Sequence, residues 1–302
     1  LQIDKLAIAD LGGAAFSASG RIVTAAPSPR GSIRVDLDAP DMTPVMTLLA
    51  RFAPKTAQAL RVGAPAMAPI KLHALLTIDG AAPPAAKLAI DGSLGKVRVA
   101  LSGQANADPI ALSAGDLKLD GKLEASDGKA LVAMLGLDHV IAVDAGPGAL
   151  TLNASGPARG ELKIDGKLNA GGLDAGVTGI AGLFADDPSA VLRVTVAHAD
   201  VAPLRGGPPV ALPVTFAGNV ALNAKDMTLS DINATLAGAT MRGKLVLALP
   251  APRYLRGEID ADDIDGAGLI AAAIGMPAAA GGNVKAAWTW SSEPFAAGLF
   301  GD

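Results

Sequence analysis

Residues 117–123 read Leu-Lys-Leu-Asp-Gly-Lys-Leu, and residues 162–168 repeat the pattern as Leu-Lys-Ile-Asp-Gly-Lys-Leu. Successive side chains of a β-strand point to opposite faces, so this alternation gives a strand one apolar face and one polar face. The same alternation returns along most of the chain. It predicts a mainly β fold: a long, curved antiparallel sheet forming an open, taco-like groove, built of repeated strands with short capping helices.

The alternation also gives the strand positions. Strands are predicted at 1–9, 13–23, 30–38, 69–79, 86–94, 96–105, 111–125, 147–155, 160–169, 190–198, 213–224, 228–238, 240–249, 254–261 and 283–290. Asp-Gly pairs at 79–80, 91–92, 120–121 and 165–166 favour turns, or bends where they lie within a strand.

Three strands end in an acidic residue and Ala, followed by Asp or Ser and then a short apolar segment. Side chains of Asp and Ser cap the free amides of a first helical turn. Short helices are therefore predicted at 42–53, 129–137 and 267–274, with a degenerate fourth copy at 201–204.

The composition limits the classes of function. Hydrophobic residues make up 50% of the 302 residues, but aromatic residues only 3%, so the apolar surface is aliphatic and small. The net charge is -4 and the basic residues are scattered, which argues against nucleic acid as a partner. Cysteine is absent, so neither a disulfide nor a thiolate metal site can form. The pattern runs through both chain ends and predicts one repetitive region, 1–302, of a longer protein, with a soft boundary near 206–212.

Motifs that suggest a catalytic or metal site lack the sequence context that such a site requires. Gly238–Lys244 resembles a phosphate-binding loop, but it leads into an alternating strand where the motif requires a helix. Residues 266–271 resemble a dinucleotide fingerprint, but acidic residues precede them. The acidic cluster at 258–265 lacks the ligand spacing of a calcium loop, and the three histidines are dispersed. We therefore expect no enzyme activity, catalytic residue, metal or cofactor.

Longer phrases resemble a known family. Residues 233–247, residues 254–265 and the tryptophan-containing run at 288–302 are similar to the AsmA-like family of bacterial envelope proteins, which includes the TamB-like group. The resemblance implies a β-rich periplasmic body, anchored in the inner membrane by a segment absent from this chain. It also implies a role in outer-membrane assembly and in phospholipid transport along an apolar groove.

The residues alone lead to a compatible hypothesis, in which acyl chains fill an aliphatic trough that few large side chains could fill. The predicted groove lining is Val97, Val99, Leu101, Leu117, Leu119, Leu123, Leu162, Ile164, Leu168, Leu245, Leu247 and Leu249. The intervening lysines at 118, 122, 163 and 167 should face water. Expected partners are phospholipid or another acyl-chain lipid, the membrane, and envelope proteins.

Two alternatives remain. The protein could instead be an envelope scaffold whose helices close the apolar face and whose strand edges bind partner proteins. An enzyme or adhesin built on a β-solenoid is less favoured, because the strand spacing is irregular.

Overall fold

The chain forms one sheet in which each strand pairs antiparallel with the strands before and after it. The computed structural model describes residues 2–8, 10, 12–23, 29–52, 54–80, 85–106, 115–158, 160–182, 189–205, 211–236, 238–249 and 254–262. The strands are β1 Gln2–Ile8, β2 Ala15–Val23, β3 Arg30–Ala39, β4 Ile70–Asp79, β5 Ala85–Leu94, β6 Val97–Asn106, β7 Asp116–Ala125, β8 Gly148–Pro157, β9 Leu162–Ala170, β10 Leu173–Gly182, β11 Ser189–Asp200, β12 Pro213–Leu222, β13 Asp226–Leu236, β14 Ala239–Ala248 and β15 Leu255–Ala261.

The sheet is open, because β1 and β15 are its two edges and do not pair with each other. The predicted mainly β, antiparallel and unclosed architecture is confirmed. Within the described ranges the helical elements are short: α1 Thr43–Phe52, α2 Pro54–Leu60, α3 Gly128–Met134, and two 3-10 turns, Ala64–Met67 and Ala202–Arg205.

Every one of these helical elements lies at the same end of the sheet. In an up-and-down meander the odd-numbered strands all finish at one end, and the helical elements follow β3, β7 and β11. We call this end the helix end and the opposite one the far end.

Three of the four predicted caps are present. Asp41 Oδ1 accepts a hydrogen bond from the Thr43 amide (2.7 Å), and Asp127 Oδ1 accepts one from the Lys129 amide (3.0 Å). Asp200 Oδ1 accepts from the Ala202 amide (2.9 Å) at the degenerate fourth copy. The predicted helix at 267–274 and strand at 283–290 lie outside the described residues.

A core closes the helix end of the sheet. Leu131 of α3 is fully buried against a row of strand residues that includes Ala39, Ile70, Val97 and Ala125. The next residue of α3, Val132, packs with Ala170, Leu173 and Ala199 in a second cluster. Helix α3 thus joins the middle strands through the burial of apolar side chains, which is the main stabilising term in folding.

Strand β10 and helix α2 are absent from the sequence-based prediction. The β10 sequence, Leu-Asp-Ala-Gly-Val-Thr-Gly-Ile-Ala-Gly, has little alternation of large apolar with charged residues. Pairing on both sides with β9 and β11 overrides this weak propensity. The two-residue turn Gly171-Gly172, with φ of 44° and 90°, is the hairpin signal that identifies the strand.

Strand β13 contains a bulge that preserves the apolar face. Leu229 pairs with Leu245 and Ile232 pairs with Gly243, so β13 carries one residue more than β14 between these pairs. The extra residue would turn all later side chains to the wrong face, but Asp231 absorbs it with φ of 51°. Asn219 Nδ2 donates to Asp231 Oδ2 (2.7 Å) across the bulge.

The sheet continues past the predicted soft boundary. Strands β11 and β12 flank residues 206–212 and pair from Ala190 with Leu222 to Asp200 with Pro213. The compact unit that holds the sheet is Leu1–Ile264, and the rest of the chain, Asp265–Asp302, lies outside the described residues.

We predict that Gly92→Ala destabilises the sheet and that Gly103→Ala does not. Gly92 has φ of 147°, and a Cβ there would collide with the carbonyl oxygen of Lys71 on β4. At Gly103 the nearest atom to a Cβ is the mobile Leu119 Cδ2, at 3.2 Å. We expect a loss of about 2 kcal/mol for Gly92→Ala, measured by urea denaturation, and little change for Gly103→Ala. Equal midpoints for the two variants would contradict this account of the backbone.

Candidate functional site

The sheet has a continuous apolar face, and the core at the helix end covers only part of it. One cross-strand ladder runs from β2 to β15 and contains only apolar residues and glycine. Its members are Gly20, Ile33, Leu76, Leu88, Gly103, Leu119, Ala154, Ile164, Gly179, Leu192, Val220, Leu229, Leu245 and Gly257.

A second ladder lies closer to the helix end and crosses all fifteen strands. It consists of Ile8, Phe16, Leu37, Leu72, Gly92, Val99, Leu123, Leu150, Leu168, Ala175, Val196, Phe216, Ala234, Met241 and Ala261. Leu37, Leu123, Leu150 and Leu168 of this ladder pack against the core beneath α3. The apolar face is therefore closed at the helix end.

Away from α3 the apolar face is partly open to solvent. Leu101 on β6 is 40% exposed and Leu152 on β8 is 44% exposed, with Gly121 of β7 paired between them. Leu88 on the neighbouring β5 is also exposed. Leucines of a packed core are usually buried, so this central part of the apolar face is not closed by a core and stays accessible from solvent.

The predicted groove-lining residues lie on this face but differ in accessibility. Val97, Val99 and Leu162 are fully buried and belong to the interior. Leu101 is exposed, and the remaining residues are half-buried. Leu249 lies just beyond the end of β14, where its amide donates to the Lys225 carbonyl (2.9 Å). Accessibility depends on where α3 sits, which alternation along a strand does not encode.

Two accessible residues, Leu88 and Leu152, are missing from the predicted set. The alternation of Leu150, Leu152 and Ala154 in β8 is sufficient to place Leu152 on the apolar face. Every second residue of a strand shares a face, and this set includes the buried Gly148. For Leu88 the flanking Ala86 and Ile90 give the same signal in β5.

The opposite face is polar. Lys118, Lys122, Lys163 and Lys167 are all exposed there, as predicted. Lys122 Nζ lies 2.7 Å from Glu124 Oε1, an exposed pair that holds the pKa of the Glu124 carboxyl below its usual value.

A Ser-Asp-His cluster lies on the polar face of β2, β3 and β4. Ser17 Oγ donates to Asp36 Oδ2 (3.1 Å), and His73 Nδ1 lies 2.7 Å from Asp36 Oδ1. The three residues border a shallow cleft of about 500 Å³. In a catalytic triad the histidine bridges the serine and the carboxylate, whereas here the carboxylate bridges the other two. This order does not activate Ser17 as a nucleophile.

The other candidate motifs take the following positions. Residues 239–248 form β14, so Gly238–Lys244 has no helix to bind phosphate. Among the described residues no cluster of three or more histidine or acidic residues has the geometry of a metal site. The dinucleotide-like stretch at 266–271 and part of the acidic cluster lie outside the described ranges.

Comparison of the chain with protein-family models, with curated proteins and with solved structures gives no match. Within the described part of the chain, none of the helices combines the length and the apolar character that a bilayer span requires.

We predict that His73 titrates above its usual pKa of 6.5 because of Asp36. The hydrogen bond that His73 Nδ1 donates to the Asp36 carboxylate raises the pKa of His73, with a smaller charge effect from Asp91 on β5, and the same bond lowers the pKa of Asp36. A raised histidine pKa stabilises the fold fully below about pH 6.5, and this contribution is lost as the pH rises through the folded value. The contribution of Asp36 is instead lost as the pH falls through its lowered pKa.

The test is an NMR titration of the His73 Cε1 proton. Asp36→Asn should bring the midpoint down toward 6.5, while Asp91→Asn should move it less. A midpoint that does not respond to Asp36→Asn would refute the assignment.

Proposed function

We propose that the sheet binds acyl chains of phospholipid along its apolar face and conducts them between membranes without catalysis. The observation that carries the proposal is the apolar ladder that crosses fourteen strands, on a face where Leu88 of this ladder and the neighbouring Leu101 and Leu152 are exposed. Because transfer of apolar surface out of water contributes about 25 cal/mol per Å², such a face would hold a lipid tail through many weak contacts.

The dimensions of the ladder favour movement over fixed binding. Strands in a sheet are about 4.8 Å apart, so fourteen of them span roughly 60 Å along the sheet. An acyl chain occupies about half of a 30 Å hydrocarbon core, or about 15 Å. The ladder thus offers several successive positions of similar chemistry, and a chain that moves between them would meet only small barriers.

The resemblance to AsmA-like envelope proteins supports the same proposal. On this basis we place the protein at the periplasmic face of a bacterial inner membrane, as a non-enzymatic factor in envelope biogenesis and outer-membrane assembly. Its lipid would be a phospholipid, and the polar face, with its exposed lysines, would remain in water.

A scaffold function is a second candidate, favoured by the open edges of the sheet. Among the strands of the described residues β15 is an edge strand, and its residues Leu255–Asp260 are all exposed. An unpaired strand edge can accept a strand of another protein. A scaffold predicts protein partners and no bound lipid.

We predict that Leu101→Asp with Leu152→Asp removes bound lipid. Carboxylates at these two positions would face the acyl chains, and the cost of burying them should lower occupancy by about tenfold or more. The measurement is native mass spectrometry with lipid extraction on protein purified from bacterial membranes. The Leu119→Asp and Ile164→Asp pair tests the same apolar face at half-buried positions.

Leu75→Asp is the matched control. Leu75 is 39% exposed, close to the 40% of Leu101, but its partners across the sheet, Arg34 and Ala89, place it on the polar face. It should leave lipid occupancy unchanged. A folded wild-type protein that carries no lipid, or equal loss in both variants, would refute the proposal and favour the scaffold.

A further inference from the structure

The far end of β11–β15 exposes large apolar side chains on both faces of the sheet. Leu222 and Leu255 lie on the apolar face, in one ladder with Met227 and Leu247. Val191 lies on the opposite face, in a ladder that continues through Ala221, Thr228 and Val246 to Arg256. Leu255 is 65% exposed and Val191 is 56% exposed, more than any leucine of the central apolar face.

Hydrogen bonds at this end bring an aromatic residue and a lysine to the same corner of the sheet. Asn223 Oδ1 accepts from the amides of Lys225 (2.7 Å) and Asp226 (2.9 Å), which fixes the tight turn between β12 and β13. The Leu249 amide donates to the Lys225 carbonyl (2.9 Å). The amide of Ala248, the last residue of β14, donates to the Tyr254 carbonyl (3.0 Å). Lys225 and Tyr254 therefore lie at one corner of the sheet.

The side chains at this corner combine apolar, aromatic and positive character. Tyr254, the single tyrosine of the chain, is 54% exposed, and the Arg256 guanidinium lies 6.0 Å from the centre of its ring. Lys225 and Arg256 are exposed. Asp226, the acidic residue of the turn, is half-buried and accepts a hydrogen bond from Asn223 Nδ2 (3.0 Å), so its charge is partly satisfied within the protein.

We propose that this end of the sheet docks on the surface of an anionic lipid bilayer. A protein partner seated on one face would leave the apolar side chains of the other face in water, whereas a lipid surface that receives the strand ends contacts both faces. Tyrosine prefers the membrane interface, and lysine and arginine attract anionic headgroups. The membrane rim comprises Val191, Leu222, Lys225, Tyr254, Leu255 and Arg256.

The proposal goes beyond lipid binding on the apolar face, because it specifies which end of the sheet meets a bilayer. The ladder that ends at Leu255 belongs to the same apolar face that would hold acyl chains. A chain that leaves the central leucines would thus enter a bilayer at the rim without crossing a polar surface.

The experiment is vesicle flotation with the full chain. Vesicles of phosphatidylcholine with about 30% phosphatidylglycerol supply the negative surface, and pure phosphatidylcholine vesicles are the comparison. We expect flotation with the anionic vesicles that weakens as salt is added. Lys225→Ala with Arg256→Ala should lower the partition coefficient by about 25-fold, at about fivefold for each cation.

The apolar part of the rim has a matched control at the other end of the sheet. Val191→Ser with Leu255→Ser should reduce flotation, whereas Val62→Ser with Leu204→Ser should not. Val62 and Leu204 are each 62% exposed but lie at the helix end. All four positions are exposed, so the variants should keep the circular dichroism and melting temperature of the wild type.

Three outcomes would overturn the proposal. The first is no flotation of the wild type with anionic vesicles at low salt. The second is equal loss in the rim variants and the helix-end variants. The third is self-association in solution, seen by analytical ultracentrifugation, that the rim substitutions abolish, which would assign this end to a second copy of the chain.

Failure of the lipid-binding proposal gives a different pattern. Leu101→Asp with Leu152→Asp should float as well as the wild type, whether or not the protein carries lipid.

Discussion

The structure depends on one constraint, which is that every strand must present its apolar side chains to the same face as its neighbours. Side chains alternate with a period of two, so a register shift of one residue in any strand would move its leucines to the polar, solvent-facing side of the sheet. The register between β2 and β10 is continuous, and the bulges in β11 and β13 absorb single extra residues without changing the face. Asp231 shows how local this correction is, since one residue with positive φ restores the alignment of Ile232 and Ala234. The apolar face is therefore a property of the whole sheet and not of any one strand.

The antiparallel order of the strands has a second consequence, which is the difference between the two ends of the sheet. Connections that follow odd-numbered strands can lie only at one end, and the capped helical elements all occur in such connections. Leu131 and Val132 of α3 build a conventional core there, with buried partners on β3 to β11. Beyond the reach of α3 the same ladders continue half-buried. The helical connections after β3, β7 and β11 therefore decide which end of the sheet is covered by a core. They also decide which part of the apolar face remains accessible.

The sequence predicted the fold class, most strands and the aspartate caps, because these depend on local patterns of two to four residues. It missed β10, whose alanines and glycines carry little alternation and which forms because β9 and β11 pair with it. It also treated the predicted groove residues as equivalent, although Val97 and Leu162 are fully buried while Leu101 is exposed. Alternation reports which face a side chain occupies. What covers that face depends on packing between distant parts of the chain, such as the cluster that contains both Leu131 and Val97, and this packing has no local signal.

The glycines on the apolar face bear on the proposed binding of a flexible acyl chain, because they shape the surface beside the exposed leucines. A Cβ at Gly121 would lie 3.1 Å from Leu101 Cδ2, and one at Gly166 would lie 3.3 Å from Leu152 Cδ1, so each leucine leans over a neighbouring glycine. At these positions the apolar surface is consequently formed by leucine side chains that lie across glycines and can change rotamer. A protein core requires fixed, complementary shapes at high packing density, and large rings usually supply much of the volume. With aromatic residues at 3%, this chain has few of them to offer. An acyl chain needs no fixed complement, because its methylenes adjust to the leucines, and its binding energy grows with the apolar area it covers.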